Sequence, residues 1–378
     1  MKKVGIVIPA YNAQKTIKAT LQSIAIQTIT KDVKVYIAND NPEHSLNDYF
    51  EMGEQWPFQI EFIDCVENGG PGIARNNGLE QVQEMYVTFI DADDILFTPI
   101  ALEKLLKGFV NPNVIEVQSA FVSVLRNVPD QTGNIQPIAL MPRNDVQHPW
   151  VFGRMYSTRF LKDNKINFSD LRSMEDGYMN CCIRMLIEGT NFQINVLDDI
   201  AYLWNEGSEH SITRNVWNKR PEFPVYNYGA CAVGSAVAFS RAVEFVSKAN
   251  PFNPSISRTA AEIMVERYFN YYEAKENYPE YAEVNLFVAK WWYKNVFKKF
   301  ASSVPTETLE DIYMKKLQFN GLKRFPDMTF SQWFESIKTE YASSLEFVID
   351  SIPDELKEQE ALSGCTTEAA LRIMTKGE

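Results

Sequence analysis

The stretch Tyr86-Val-Thr-Phe-Ile-Asp-Ala-Asp-Asp94 places an acidic cluster directly after a short apolar run. The apolar run predicts a buried strand, and ligands of open α/β sheets bind at the carboxyl ends of strands. Asp91 and Asp93 are separated by one residue, so both can reach one hard divalent cation that keeps positions open for phosphate oxygens. The alternative is a solvated acidic turn in which an Asp caps the following helix.

Short apolar runs alternate with helical patterns around this stretch. Strands are predicted at 4–9, 33–38, 60–65 and 86–90, and helices at 15–27, 71–83 and 99–109. This alternation predicts an α/β fold with a mostly parallel sheet covered on both faces. Farther along, the patterns predict strands at 114–125, 192–196 and 200–204, a long loop at 129–149 and a helix at 174–188.

The pattern changes after residue 220, where six helical segments are predicted between 229 and 374. We expect a boundary near 215–225, with an α/β domain at 1–220 and an α-helical C-terminal domain of unassigned role at 221–378. Aromatic side chains of this domain predict a core or a homo-oligomer interface, with a sugar-binding platform as the alternative. They are Tyr268, Phe269, Tyr271, Tyr272, Trp291, Trp292 and Tyr293.

The composition narrows the class of protein. A net charge of −12 argues against a broad nucleic-acid surface, which needs an excess of Lys and Arg. Five cysteines without a CxxC pair indicate reduced thiols, as in a cytoplasmic protein. The chain shows no run of the roughly 20 apolar residues that a spanning helix needs. We therefore expect a cytoplasmic protein and leave peripheral attachment to a membrane open.

Four further motifs contain residues that could bind a ligand or take part in a reaction. The glycine-rich segment 68–78 leads into a helix and an arginine, which suits an anion. Glu175-Asp176 opens a predicted helix, His210 lies in a polar loop, and Asp40 closes the second strand. Each motif also has a purely structural alternative. Segment 68–78 could be a tight turn, and Glu175-Asp176 could be an acidic pair favoured by the helix dipole. His210 could be a solvated side chain, and Asp40 a turn residue.

Taken in order, these segments resemble glycosyltransferase family 2, whose members have the GT-A fold. The matching segments are 4–13 for the opening strand and loop, 38–40 for the Asn-Asp pair, 68–78 for Asn-x-Gly-x-x-x-Ala-Arg-Asn-x-Gly, 89–94 for Asp-x-Asp-Asp, and 175–176 for the later Glu-Asp pair. The resemblance covers residues 3–214 and implies nothing about residues 221–378.

The resemblance implies a role for each matching residue. The nucleotide-sugar-binding residues would be Pro9, Ala10, Tyr11, Asp40, Gly70, Arg75, Asp91, Ala92, Asp93 and Glu175. Among them, Asp40 would hydrogen-bond the base, Arg75 would hold the nucleotide or its phosphates, and Asp91 would contact the ribose or sugar. Asp93 and His210 would bind the metal, and Asp176 would be the general base.

The implied reaction is an inverting, metal-assisted transfer from a UDP-sugar to an acceptor hydroxyl, with Mn²⁺ or Mg²⁺. The acceptor class stays open among a glycan, a lipid-linked sugar, a protein and a modified nucleic-acid base. Two alternatives remain: a haloacid-dehalogenase-type phosphohydrolase with Asp91 as nucleophile, and a glycosyltransferase-like scaffold that binds without turnover.

Overall fold

The computed structural model describes residues 2–44, 55–125, 139–143, 150–205, 229–320, 328–339, 343–361 and 364–376. The chain forms two compact units, one of Met1–Asn180 with Thr190–Ser211 and one of Cys181–Gly189 with Ile212–Glu378. The predicted boundary near 215–225 lies outside the described residues and stays a prediction.

The first unit is built on one mixed sheet in the order β3-β2-β1-β4-β8-β6-β9-β5, with β7 paired to β6. The strands are β1 Val4–Ala10, β2 Val33–Asn39, β3 Gln59–Asp64, β4 Tyr86–Phe89, β5 Ile95–Leu96, β6 Val114–Leu125, β7 Ala139–Arg143, β8 Arg154–Ser157 and β9 Gln193–Trp204. Strands β1 to β4 pair in parallel, whereas β8 pairs antiparallel to β4 and β6. This arrangement confirms the predicted fold class, a Rossmann-like mixed sheet of the GT-A type.

Five helices belong to this part of the chain: α1 Ile17–Ala25, α2 Pro71–Gln81, α3 Ala101–Lys107, α4 Thr158–Asp163 and α5 Glu175–Ile187. Helix α1 forms because Ile17, Leu21 and Ile24 recur on one face, and all three are buried in the core under the sheet. The first four strands end on the same edge, so the loops after β1, β2 and β4 lie side by side.

Two predictions within the first unit were wrong, and three short elements were not predicted. The predicted loop at 129–149 contains β7 at Ala139–Arg143, which pairs antiparallel with Phe121–Leu125 of β6. The two strands predicted between 192 and 204 are one strand, β9, whose pairing with β6 is irregular. The patterns also missed β5, β8 and α4, because short elements depend on partners that sequence spacing does not reveal.

The second unit is helical over its described residues, as predicted for this half. Its helices are Ala230–Ala249, Ser255–Asn277, Ala282–Trp292, Lys298–Phe300, Thr306–Asn320, Phe330–Thr339, Leu345–Asp350, Asp354–Ala361 and Thr367–Thr375, with a π-helical turn at Tyr293–Phe297. Tyr268, Phe269, Tyr272 and Trp292 are buried, so these aromatic side chains pack a core. Trp291 instead lines a cavity of about 390 Å³ together with Lys290 and Lys294.

Ala230–Ala249 is long and apolar enough, by length and composition alone, to cross a membrane. Of its most apolar window, 67% is buried inside the protein, which is the behaviour of a core helix. The five cysteines, all among the described residues, are not joined in disulfides.

Candidate active site

The acidic turn after β4 is held from three sides. The Thr20 hydroxyl on α1 donates to the carbonyl of Ala92 at 3.0 Å. The carboxylate of Asp94 accepts from the Tyr202 hydroxyl at 2.7 Å and from the Asn205 amide at 2.7 Å. Asp94 is therefore a buried structural residue, and burial, with the charges of Asp93 and Asp91, raises its pKa well above the ordinary value.

Arg75 joins the acidic turn to the start of α5. Its guanidinium donates to Asp91 at 2.6 Å and to Glu175 at 2.7 Å, across 16 and 100 positions of sequence. The side chains of Arg75 and Glu175 are only 6% and 10% exposed, whereas that of Asp91 is 33% exposed. Burial alone would lower the pKa of Arg75, but the two carboxylates outweigh it and raise that pKa. A buried charge network of this kind is costly unless every member is paired.

Asp176 lies beside this network at the second position of α5. Burial, together with the neighbouring charge of Glu175, raises the pKa of Asp176 to about 7, against the opposing effect of Arg75. Its carboxylate also accepts from the Gly177 amide at 2.7 Å. A carboxylate with a pKa near neutrality has the property expected of a general base.

The backbone around this acidic pair is strained. Met174, directly before Glu175, has φ 64°, a left-handed conformation that is uncommon for a residue other than glycine. Gly72 on α2 lies close by, because a Cβ there would stand 2.5 Å from the Ser169 carbonyl oxygen and 3.0 Å from Glu175. Any side chain at Gly72 would push α2 away from the segment that carries the pair, so glycine permits the Arg75 contact.

Asp40 organises the glycine-rich turn. Its two carboxylate oxygens accept from the Gly69 and Gly70 amides at 2.9 and 2.8 Å. Gly70 has φ 86°, which fits glycine, and precedes the first residue of α2. Burial raises the pKa of Asp40, against the two amide hydrogen bonds and the charge of Arg172. The predicted contact of Asp40 with a nucleotide base stays a prediction.

The predicted nucleotide loop lies next to this turn. The Ala10 carbonyl accepts from the Asp40 amide at 2.8 Å, and Pro9 pairs with Ala38 across the parallel strands. Tyr11 is 52% exposed, and its contact with a nucleotide stays a prediction. The neighbouring Asn12 accepts from Asn41 at 2.7 Å, which fixes the turn after β2.

The sequence patterns did not single out three residues of this region. Arg172 donates to the carbonyl and the side chain of Asn68 at 2.8 and 3.0 Å, beside the glycine-rich turn. Tyr202 on β9 accepts from the Asp91 amide at 3.1 Å, and Thr20 belongs to α1. The only sequence signal for Arg172 was its positive charge three positions before Glu175. No sequence signal indicated Tyr202 or Thr20.

The described residues contain no group of three or more His, Cys, Asp or Glu that could hold a metal ion. Asp94 accepts from Tyr202 and Asn205, and Asp91 accepts from Arg75. The metal role of Asp93 stays a prediction from the sequence. One carboxylate suffices where substrate phosphates complete the coordination shell, as is usual for Mg²⁺. His210, the predicted second ligand, lies outside the described residues.

Comparison with known proteins places the similarity in the first part of the chain. Residues 5–167 match the family described as Glycosyl transferase family 2. Poly(ribitol-phosphate) beta-glucosyltransferase of Bacillus spizizenii is 24% identical, over 55% of this chain and 33% of its own length. Poly(ribitol-phosphate) beta-N-acetylglucosaminyltransferase TarS of Staphylococcus aureus is 25% identical, over 54% of this chain and 35% of its own length.

A crystal structure of S. aureus TarS superposes on 84% of this chain and 51% of its own, with TM-score 0.49 and 20% identity. In the sequence comparisons, the chain spans about a third of the length of the two curated relatives named above. The match does not favour the phosphohydrolase alternative, and the acidic turn follows the fourth strand in the chain rather than the first. Residues 5–167 of this chain are therefore similar to glycosyl transferase family 2.

Proposed function

We propose that this chain transfers a sugar from a UDP-sugar to an acceptor hydroxyl, with inversion and with Asp176 as general base. The observation that supports this most directly is the buried Arg75, which ties Asp91 at the strand end to Glu175 at the start of α5. Asp176 follows Glu175 directly, so the candidate base and the acidic turn belong to one cluster.

The proposed step is a single displacement. The acceptor oxygen forms a bond to the anomeric carbon while the bond from that carbon to the diphosphate oxygen breaks, and UDP leaves with the electron pair. Asp176 takes the proton of the attacking hydroxyl, and a base whose pKa is about 7 can both accept and later release it near neutral pH.

The diphosphate gains negative charge as it leaves. A divalent cation such as Mn²⁺ or Mg²⁺ would neutralise part of this charge when bound. Asp93 would hold the cation on the protein side, with His210 as the second predicted ligand. The N-terminus of α2 supplies further positive potential beside the nucleotide loop.

The names of two relatives suggest the class of acceptor. Two relatives are named for adding glucose or N-acetylglucosamine to poly(ribitol-phosphate). We therefore take a hydroxyl of a polyol-phosphate polymer as the acceptor, and UDP-glucose and UDP-N-acetylglucosamine as the donors. Cytoplasmic location and a homo-oligomer through the helical half stay predictions.

The test is a donor screen that measures released nucleoside diphosphate. UDP-glucose, UDP-N-acetylglucosamine, UDP-galactose and GDP-mannose are each supplied with Mn²⁺, Mg²⁺ or EDTA, with and without poly(ribitol phosphate). Lipid-linked sugars, glycans, proteins and nucleic acid are separate acceptor arms. We expect metal-dependent release that the polymer accelerates.

Two variants assign the base. Asp176→Asn should bind UDP normally and lose transfer by about 10²-fold or more, because the hydroxyl keeps its proton. Asp163→Asn is the matched control, since Asp163 lies in the same unit, is exposed and forms an ion pair with Arg159. Unaltered transfer by Asp176→Asn would refute the base assignment. UDP binding with no turnover under any condition would instead favour the scaffold alternative.

A further inference from the structure

A buried ion pair lies behind the start of α5, apart from the Arg75 network. Arg154 on β8 and Glu116 on β6 approach to 2.6 Å, and each side chain is only 1% exposed. Gln118 donates to the same oxygen of Glu116 at 2.6 Å. The interior position makes this pair expensive to form, since two charges leave water for a low-dielectric environment. The reaction proposed above does not use it.

The ion pair reaches α5 through Asn180. The Tyr156 hydroxyl donates to the Asn180 side-chain oxygen at 3.2 Å, and Arg154 donates to the same oxygen at 3.5 Å. Asn180 is four positions after Asp176, and residues four apart share one face of a helix. The buried network therefore holds α5 from the side on which Asp176 lies.

We propose that Arg154, Glu116, Tyr156 and Asn180 form a positioning network, which fixes the first turns of α5 and so holds the Asp176 carboxylate in the orientation for proton transfer. This inference rests on the proposed function, because it gives Asp176 the role of base. Arg154 and Tyr156 are positioning residues, since they act on the base through Asn180 and touch no reacting atom.

Electrostatics support the same connection. The charge of Asp176 is among those that raise the pKa of Arg154, and by reciprocity Arg154 lowers the pKa of Asp176. Among the charged groups that act on Asp176, Glu175 and Asp91 raise its pKa, whereas Arg75 and Arg154 lower it. Loss of Arg154 should move the pKa of Asp176 upward.

Two variants separate positioning from charge. Tyr156→Phe keeps the ring and removes the hydroxyl that holds Asn180. The double variant Arg154→Met with Glu116→Gln removes both charges and leaves neither one buried without its partner. The measurements are kcat for transfer, KM for the UDP-sugar, and the dependence of kcat on pH.

We expect kcat to fall on the order of tenfold to a hundredfold in both variants, because small displacements of a reacting group are costly. The KM for the donor should stay within about twofold, since donor contacts lie elsewhere. The rise of kcat with pH, which follows ionisation of the base, should stay in place in Tyr156→Phe and move little in the double variant, because loss of the Glu116 charge offsets loss of the Arg154 charge. Arg154→Lys, which keeps the charge, should keep the pH profile of the unaltered protein.

Tyr36→Phe is the matched control. Tyr36 is a buried tyrosine of the same unit whose hydroxyl donates to Glu84 at 2.8 Å, so its loss also removes one buried hydrogen bond. This control should lose stability and keep both kcat and the pH profile. Circular dichroism establishes that each variant is folded.

If Tyr156→Phe and the double variant keep the kcat of the unaltered protein, this inference is wrong while the proposed function stands. A similar fall of kcat in Tyr36→Phe would also overturn it, because general loss of stability would then account for the effect. Absence of transfer by the unaltered protein would refute the proposed function and this inference together.

Discussion

Asp176→Asn should make the protein more stable while it removes activity. The Asp176 carboxylate lies where burial and the charge of Glu175 oppose ionisation. An Asn side chain carries no charge and still offers an oxygen to the Gly177 amide, which donates to Asp176 at 2.7 Å. The substitution therefore removes an electrostatic penalty and keeps the local hydrogen bond.

The magnitude follows from the pKa of Asp176. This pKa rises from 3.8 to about 7 on folding, so the folded state binds the proton more tightly than the unfolded state does. The bound proton makes its full contribution to the free energy of unfolding below pH 3.8. This contribution declines as the pH rises and is lost once the pH has passed about 7. At about 1.4 kcal/mol for each pKa unit, the difference is about 4 kcal/mol at most. Partial exposure of the side chain reduces this value.

The assay is urea unfolding in EDTA at several pH values between 5 and 8, with the unaltered protein beside Asp176→Asn. We expect the variant to be the more stable of the two already at pH 5, and the gap between the two midpoints to widen as the pH rises toward about 7. Asp163→Asn, at an exposed position, should follow the unaltered protein throughout. Parallel curves for Asp176→Asn at all pH values would show that Asp176 is not held in a raised-pKa environment.

Three further substitutions test the site and the helical unit. Asp93→Ala should weaken UDP binding about tenfold in Mn²⁺ and leave it unchanged in EDTA, as measured by titration calorimetry; equal affinity in Mn²⁺ would exclude Asp93 as a ligand. Gly72→Ala should lower the free energy of unfolding by about 2 kcal/mol in urea, because its Cβ would stand 2.5 Å from the Ser169 carbonyl oxygen; an unchanged midpoint would contradict that close approach. Glu360→Ala should cost about 2–4 kcal/mol in the same assay, because Glu360 accepts from both the backbone and the hydroxyl of Thr367 in a buried site. A smaller loss than in an exposed-residue control would refute this reading.

Much of the fold followed from local pattern. The first four strands and helices α1 and α2 lie within a few residues of the predicted bounds. Strands β1, β2 and β4 and helix α1 bury apolar side chains in a regular pattern, which the sequence shows directly. Strand β7 did not follow, since its strand conformation depends on pairing with β6. The split of 192–204 into two strands was wrong for a similar reason, because β6 supports one irregular strand across the whole segment.

Some features of the candidate site also followed from the sequence, and others only from the structure. Spacing and resemblance selected Asp91, Asp93 and the Glu175-Asp176 pair, because their chemistry lies in residue type and local order. In the structure, Asp40 accepts hydrogen bonds from two backbone amides and Arg75 forms ion pairs with two carboxylates. Sequence spacing could indicate neither set of contacts. The predicted ligand contacts of both residues remain to be tested with bound nucleotide.

The sequence by itself therefore determined the order of strands and helices at the start of the chain and the acidic cluster after β4. Periodicity and residue type are properties of neighbouring positions, and they survive without knowledge of the fold. Only the tertiary structure brought Arg75 to Glu175 across 100 positions and placed Asp94 with Tyr202 rather than in solvent. Burial and charge act through space, so the raised pKa of Asp176 and the buried pair behind it exist only once distant segments have packed together.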